Sequence, residues 1–327
     1  MTNKLNRRNY LQAHFDLIDA IRTYFKIRGF TDVLTPPLVQ NPGMETHIHP
    51  FQVASAKDKN LKPLYLHTSP EFHMKELLSL GLEKIFTISY SFRDEPNSNL
   101  HRPQFVMLEW YRSNEHYHTI MQDCVELITH CRQRLKEKGH PISKSFDRVL
   151  LKKITVSEAF KKFLNYDILD YLDAASFRAK IQETTPDILP TDTLSWDDLF
   201  FLVFMNKIEP ELKKEVAIFI DEYPHHLAAL SKISEKDPRV CERFELYCQG
   251  VELANCFHEL TDLEKQKARF TEQNTQKKNI YDYELPLPEL LFKTLEKGLP
   301  HCSGIALGVD RLLQLILGRE ELFYDFK

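Results

Sequence analysis

The sequence has no excess of positive charge: 43 Lys and Arg stand against 47 Asp and Glu, a formal net charge of −4. That balance argues against a protein whose main partner is a phosphate backbone. It has no run of about 18 uncharged apolar residues, so nothing in it reads as a helical membrane span. The opening segment MTNKLNRRNYLQAHF has no apolar stretch of signal-peptide length. The six cysteines (Cys124, Cys131, Cys241, Cys248, Cys256 and Cys302) form no C-x-x-C pair. Cys124 and Cys131 instead fall on the stripe Ile120, Cys124, Leu127, Cys131, Leu135 of an expected helix, as small core residues and not metal ligands. No internal repeat stands out. These absences predict a soluble cytoplasmic chain with reduced thiols and no membrane partner. Its 327 residues suffice for one large domain or two smaller ones.

Residues 5–28 carry Leu11, Phe15, Ile18, Ile21 and Phe25 at spacings of three and four, which predicts an amphipathic helix capped by Gly29. FTDVLTPPL follows as a short strand stopped by Pro36 and Pro37. KIFTISYSFRDE alternates: Phe86, Ile88, Tyr90 and Phe92 point one way, and Thr87, Ser89, Ser91, Arg93 and Glu95 the other. That pattern predicts an antiparallel sheet with one open side. In QFVMLEWY, Phe105, Met107, Glu109 and Tyr111 share one face, and Val106, Leu108 and Trp110 the other. From about 117 to 235 the chain reads as mostly helical and charged, punctuated by Pro186, Pro190, Pro210 and Pro224, with nothing catalytic. RFELYCQGVELANCFHEL then holds a turn near Gln249–Gly250, residues 262–285 read as helix and loop, and HCSGIALGVDRLLQLILG is a strand feeding a helix. Strands early and late with helices between them predict an α+β fold, its antiparallel sheet completed by distant segments and flanked by helices.

The polar positions suggest a chemistry. Arg93 and Glu95 leave one strand, and Glu109 and Tyr111 line the next; as hairpin neighbours, all four could face one cleft. The planar guanidinium fork suits a phosphate or a carboxylate, and buried carboxylates are costly unless they meet cations or metal. The plainer alternative is a surface ion-pair network around a sheet. Glu245 and Glu252, on either side of the Gln249–Gly250 turn, could hold Mg²⁺, whose oxygen coordination usually includes phosphate; the alternative is two solvated strand glutamates. Asn255, Phe257 and Glu259 share the alternation that follows. Arg311 lies in the first turn after Gly304 and Gly308, where a helix N-terminus favours anions and glycine lets backbone approach a ligand. Two arginines, a candidate metal pair and an acid-rich pocket fit a nucleoside triphosphate together with a cationic small molecule.

Several spaced segments, in order, resemble a known family. FRDE…LHRPQF resembles motif 2 of the class II aminoacyl-tRNA synthetases, GIALGVDR their motif 3, and IRGFTDVLTPPL their motif 1, which in that class builds the dimer interface. TSPEFHMKELL, FVMLEWY and RFELYCQGVELANCFHELTD are similar to lysyl-specific segments. The resemblance covers nearly the whole chain. Lysyl-tRNA synthetases carry an anticodon-binding domain of roughly a hundred residues before the first catalytic helix, whereas here that helix is expected within the first ten residues. The chain therefore looks like the truncated branch that modifies translation elongation factor P. A single catalytic domain over 1–327 is expected, with a mostly helical insertion at about 117–235 and no anticodon-binding domain.

The resemblance implies roles at matching positions. Arg93 would grip the α-phosphate and the substrate carboxylate. Glu95 would accept from the adenine amino group, with Asp94 beside it, and Phe105 would stack on adenine. Arg311 would cover the other face of the base and reach the γ-phosphate, as the second catalytic arginine. His101 would touch the distal phosphates, with Arg102 close by. Glu245 and Glu252 would hold Mg²⁺, and Leu253 and Gly308 would bring backbone near the nucleotide. For a lysine-like substrate, Glu71, with Ser69 and Pro70 beside it, would take the amine near the carboxylate. Glu109, Tyr111, Asn255 and Glu259 would surround the distal ammonium, and Ala306 would line the wall. Departures from the family pattern are HRPQF in place of HNPEF, Leu34 in place of an acidic residue, and Cys256 in place of glycine, where a side chain is expected to narrow the pocket.

Together these imply an ATP- and Mg²⁺-dependent ligase that activates (R)-β-lysine, in preference to α-lysine, as an adenylate. It would then transfer the amino acid to a lysine of elongation factor P, acting as a homodimer and without tRNA. The competing readings are an enzyme that charges tRNA or a small carrier, and an inactive regulatory paralogue. The presence of Arg93, Glu95, Glu252 and Arg311 weighs against the last.

Overall fold

The computed structural model describes residues 7–58, 60–96, 101–146, 151–185 and 187–319. Leu5, Asn6 and Pro186, which figured in the sequence expectations, lie outside them. The chain divides into two compact units, residues 1–147 with 259–327, and residues 148–258.

The first unit opens with α1 (Arg7–Ile27), ended by Gly29 at φ 77°. Its buried stripe is Tyr10, Ala13, Leu17, Ala20, Ile21, Tyr24 and Phe25, packed beside α3. Of the expected stripe, Ile21 and Phe25 are buried as predicted, but Leu11 and Ile18 are only half-buried and Phe15 is 55% exposed. The alanines explain the offset, because small side chains let a neighbouring helix approach closely. β1 (Thr31–Asp32), β2 (Leu38–Val39), β3 (Gln52–Val53) and β4 (Leu64–Leu66) are short. β2, β4 and β3 form a small antiparallel sheet. Next come α2 (Glu71–Ser79), β5 (Lys84–Phe92), β6 (Gln104–Ser113) and α3 (Tyr117–Glu137).

The second unit contains β7 (Leu151–Thr155), α4 (Val156–Leu164), α5 (Ala174–Thr184), α6 (Trp196–Val203), α7 (Glu209–Leu212), β8 (Ala217–Asp221), β9 (Arg243–Cys248) and β10 (Val251–His258). Its strands run β10-β9-β8-β7, with β7 parallel to β8 and the other pairs antiparallel. Its core joins Phe160, Phe177, Trp196, Phe200 and Tyr223. The stretch expected to be a helical insertion therefore divides otherwise: α3 belongs to the first unit, and the second carries two strands before residue 235. Charge and proline spacing do not reveal strands as short as β7 and β8.

The chain then returns to the first unit with α8 (Leu263–Tyr281), α9 (Glu289–Lys297), β11 (Cys302–Gly308) and α10 (Val309–Leu317). Strand order in this unit is β1-β5-β6-β11, parallel at β1–β5 and antiparallel elsewhere. An aromatic cluster fixes α1 on the sheet: the Phe25 ring stacks on Phe86 at 4.7 Å and tilts against Trp110 at 5.3 Å. Full burial of each such side chain is worth about 1.5–3 kcal/mol. The expected open polar face of β5 is covered: Thr87 and Ser91 are buried, whereas Tyr90 of the apolar set is half exposed. Thr87 and Ser91 pair across to Glu109 and Phe105, so they belong to a buried polar layer.

Among the described residues, no helix is long and apolar enough to cross a membrane. All six cysteines are free and buried, and Cys124 and Cys131 lie in the core as expected.

Candidate active site

β6 sets the geometry of the first unit's site. One of its faces carries Leu108, Trp110 and Arg112 into the core. There the Arg112 guanidinium donates to both Asp123 oxygens at 2.7 Å, and Trp110 Nε1 donates to Asp123 Oδ2 at 3.1 Å. Those bonds anchor the strand to α3. The other face carries Phe105, Met107, Glu109 and Tyr111, as the alternation predicted. At about 3.3 Å per residue, Phe105 and Glu109 stand about 13 Å apart along it. Thr87 and Ala306 flank Glu109, and Ile85 and Gly304 flank Tyr111, on the neighbouring strands.

Three carboxylates gather at the Glu109–Tyr111 end. Glu109 accepts from Ser69 Oγ at 2.6 Å and from Tyr111 OH at 3.0 Å. Pro70 caps α2, so Ser69 sits just before the helix and Glu71 in its first turn; Ser69 Oγ also accepts from the Glu71 amide at 3.1 Å. Lys75, one turn on and 1% exposed, places Nζ 2.5 Å from Glu71 Oε1 and 2.7 Å from Glu259 Oε2. The Glu259 contact is a close charge pair outside hydrogen-bond alignment, and neither Glu259 oxygen has a hydrogen-bond partner among the described residues. Gly304 leaves the space this cluster occupies: a Cβ there would lie 2.0 Å from Tyr111 Cε1 and 2.6 Å from Glu259 Oε1.

Burial dominates the protonation of this cluster. It raises Glu109 to about 8, and the charge of Glu71 adds to the shift while the Ser69 and Tyr111 hydrogen bonds oppose it. Burial also raises Glu71 and Glu259, against the pull of Lys75. For Lys75, burial works against the ammonium, but Glu259 and Glu71 outweigh it and its pKa rises. The directions compete, since burial favours neutral acids and the lysine favours carboxylates. The 2.5 and 2.7 Å contacts decide for a charged Lys75 and an ionised partner. A pocket built this way seeks further cations.

The Phe105 end is basic. The Arg93 guanidinium carbon lies 5.4 Å from the Phe105 ring centroid, and its buried Nε has no hydrogen-bond partner among the described residues. Backbone bonds hold the segment: Arg93 N donates to Pro103 O at 2.9 Å and Asp94 N to His49 O at 2.7 Å. His101 is held below its usual range, by burial first and then by the positive charges of Arg311 and Arg93, with Glu95 opposing. Those electrostatic neighbours bring Arg93, Glu95, His101 and Arg311 together. Arg311 stands in the first turn of α10, its side chain beside Gly308, and Asp310 accepts from Val106 N at 2.9 Å to tie that helix to β6. Arg102 is half buried beside them.

In the second unit, Gln249 and Gly250 both adopt positive φ, 53° and 76°, and make the expected turn between β9 and β10. A bulge follows: Glu252 pairs with Tyr247, but Ala254 pairs with Leu246 and Asn255 with Glu245. The extra residue, Leu253, puts Glu252 and Asn255 on one face with Glu245, which simple alternation would not do. Glu245 accepts from Tyr223 OH at 2.6 Å, Tyr247 OH at 2.8 Å and the Arg243 guanidinium. Arg243 Nε also donates to Asn255 Oδ1 at 3.2 Å. The carboxylate oxygens of Glu245 and Glu252 suit Mg²⁺, and the two tyrosines are the kind of support a ligating carboxylate needs. Arg243 neutralises Glu245 here, so binding a cation requires Arg243 to yield. Cys256 is fully buried on the β10 face opposite Asn255 and Phe257, so it does not narrow the Asn255 side as expected. Leu34 is 92% exposed, so its departure from an acidic residue touches no core.

The family model for tRNA synthetases class II (D, K and N) matches residues 2–323. The chain belongs to this family. Its fold is the α+β synthetase fold, and the chain is an ATP-dependent ligase. It is 35% identical to the Elongation factor P–(R)-β-lysine ligase of Salmonella arizonae over 309 residues, covering 94% of this chain and 90% of that protein. It is 36% identical, with the same coverage, to the proteins of that name from Salmonella paratyphi A and Proteus mirabilis. Within this synthetase frame, sequence reasoning missed two charged residues. Lys75 signals itself only through its i,i+4 spacing from Glu71, and Arg243 only as an arginine on the face of β9 that carries Glu245.

Proposed function

We propose that this enzyme activates (R)-β-lysine with ATP and transfers it to a lysine side chain of elongation factor P. The observation that carries the reading is the cluster of three buried carboxylates, two of them against Lys75, at the Glu109 end of β6, with an arginine beside Phe105 at the other end whose buried Nε lacks a partner among the described residues. The first calls for a substrate with ammonium groups, the second for phosphate or carboxylate oxygens. The names of the relatives supply the acceptor.

In the first step, a carboxylate oxygen of the amino acid attacks the α-phosphorus of ATP. The bond to the bridging oxygen breaks and pyrophosphate leaves with its electron pair. Arg93 orients the two anions and offsets their charge, and Arg311 neutralises the departing phosphates, so catalysis is mainly positioning and electrostatics. Phe105 stacks on adenine, Glu95 accepts from its amino group with Asp94 adjoining, and the Leu253 and Gly308 backbones approach the nucleotide. His101, held neutral, donates one N–H to phosphate, and Arg102 adds charge. In the second step, an amine of the protein acceptor attacks the acyl carbon, AMP leaves, and the amine loses a proton. No enzyme nucleophile is needed. Glu71, with Ser69 and Pro70, receives the amine near the carboxylate, while Glu109, Tyr111, Asn255 and Glu259 receive the distal ammonium. Mg²⁺, held by Glu245 and Glu252, would supply charge neutralisation to the phosphates.

The same reading makes the chain a cytoplasmic homodimer that needs no tRNA. A stable monomer in sedimentation at micromolar concentration would contradict the dimer. The reaction is tested by ATP–pyrophosphate exchange with each lysine isomer. Exchange supported by (R)-β-lysine above α-lysine is expected; exchange supported only by an amino acid lacking a second amine overturns the reading.

A further inference from the structure

Lys75 has no counterpart in the roles above, yet it lies at the centre of the acid pocket. It is fully buried, on the second turn of α2, and its ammonium touches Glu71 and Glu259 at once. Both carboxylate oxygens meet Nζ, so they stand no more than about 5 Å apart. Glu109 is buried in the same group through Ser69 and Tyr111. The titratable groups facing Lys75 are Glu71, Glu259 and Cys302; Glu109 and Tyr111 act on it through those two acids, and Glu45 through Glu71. Without Lys75, three buried carboxylates would share no internal cation, and such groups neutralise themselves by taking up protons. A proton on Glu71 or Glu259 is a charge the substrate ammonium must displace.

We propose that Lys75 is a specificity-determining positioning residue: its ammonium holds Glu71 and Glu259 as carboxylates at a fixed spacing, ready for the two amines of one lysine substrate. It acts through the acids and transfers no proton itself. The inference rests on the lysine-activating reading and adds the device that keeps the pocket charged near neutral pH. Burial alone would leave it neutral, and a neutral pocket would admit uncharged amino acids of similar length.

The test is Lys75→Met, which keeps the length and apolar stem, measured by pyrophosphate exchange with lysine and ATP varied separately from pH 6.5 to 8.5. The KM for lysine should rise at least tenfold at pH 7. It should then fall steeply as pH rises, approaching about tenfold per pH unit for one displaced proton. The KM for ATP should stay within twofold of wild type, and Lys75→Arg should restore a flat profile. A raised lysine KM with no new pH slope marks a merely structural lysine and overturns the proposal, as does an unchanged lysine KM. If Lys75→Met does not fold, Lys75→Met with Glu71→Gln removes one charge of each sign; a wild-type lysine KM in that variant also overturns it. Failure of the functional reading is separate, because the wild-type enzyme would then show no lysine-dependent exchange at any pH.

Discussion

Adding one methyl group at Gly304 should damage lysine recognition while sparing the nucleotide. Gly304 pairs across β6 with Tyr111, and a Cβ built there falls 2.0 Å from Tyr111 Cε1, 2.4 Å from Cδ1 and 2.6 Å from Glu259 Oε1. Carbon atoms pack at about 3.5–4.0 Å, so the ring has to retreat by about 1.5 Å. Tyr111 is 3% exposed and has nowhere free to go, and its hydroxyl is committed to Glu109 at 3.0 Å. Overpacking of this kind costs about 1–3 kcal/mol. If the cost falls on the bound state, it amounts to about 5- to 150-fold in kcat/KM for lysine. The assay is pyrophosphate exchange on Gly304→Ala with lysine varied at saturating ATP, beside a separate ATP titration. The expected result is a large loss in the lysine term with ATP affinity within twofold of wild type. A variant with wild-type kcat/KM for lysine would refute the reasoning, because the space at Gly304 would then not define the pocket.

Arg93→Ala should abolish adenylate formation, at a cost of about 3 kcal/mol or more from uncompensated phosphate and carboxylate charge; near-normal exchange would remove Arg93 from the mechanism. Glu109 sits near 8, above the usual carboxylate range, so the folded state binds its proton more tightly than the unfolded chain. That contribution is present in full below pH 4.5 and is lost as pH rises through 8. Glu109→Gln should therefore flatten the fall in stability of the ligand-free enzyme between pH 6 and 9, by on the order of 1–3 kcal/mol in denaturant titrations; an unchanged slope would mean that Glu109 is not buried as a neutral acid. Ala306 pairs with Glu109 across the sheet, and its methyl group is proposed to crowd an α-amine. One carbon discriminates by about 1–3 kcal/mol, so Ala306→Gly should narrow the preference for β-lysine over α-lysine in exchange assays. An unchanged ratio would end that role.

Much of this was legible in the sequence, and the rest was hidden for definite reasons. The alternation in QFVMLEWY assigned Glu109 and Tyr111 to one face, because a strand turns every second residue outward whatever surrounds it. The Gln249–Gly250 turn was legible because few residue pairs accept two positive φ angles. The spaced motifs carried the fold. The bulge at Leu253 was not visible, since an extra residue leaves composition unchanged while reversing which residues share a face. Lys75 was missed because the sequence shows only its i,i+4 spacing from Glu71; its meaning depends on Glu259, 184 residues later in the chain. Thr87 and Ser91 read as solvent-facing because alternation reports polarity and not what covers it. The boundary of the second unit was missed because α3, polar along one side, packs beside α1 in the first unit, with Cys124, Leu127 and Cys131 on its buried side.

The central claim is the transfer of (R)-β-lysine to a protein. The direct measurement is the intact mass of purified elongation factor P after incubation with this enzyme, ATP and (R)-β-lysine, with tRNA added in a parallel reaction. The account predicts an ATP-dependent gain of one lysyl residue on elongation factor P, faster with (R)-β-lysine than with α-lysine and unaffected by tRNA. An unmodified elongation factor P, with lysine appearing on the tRNA instead, would contradict it.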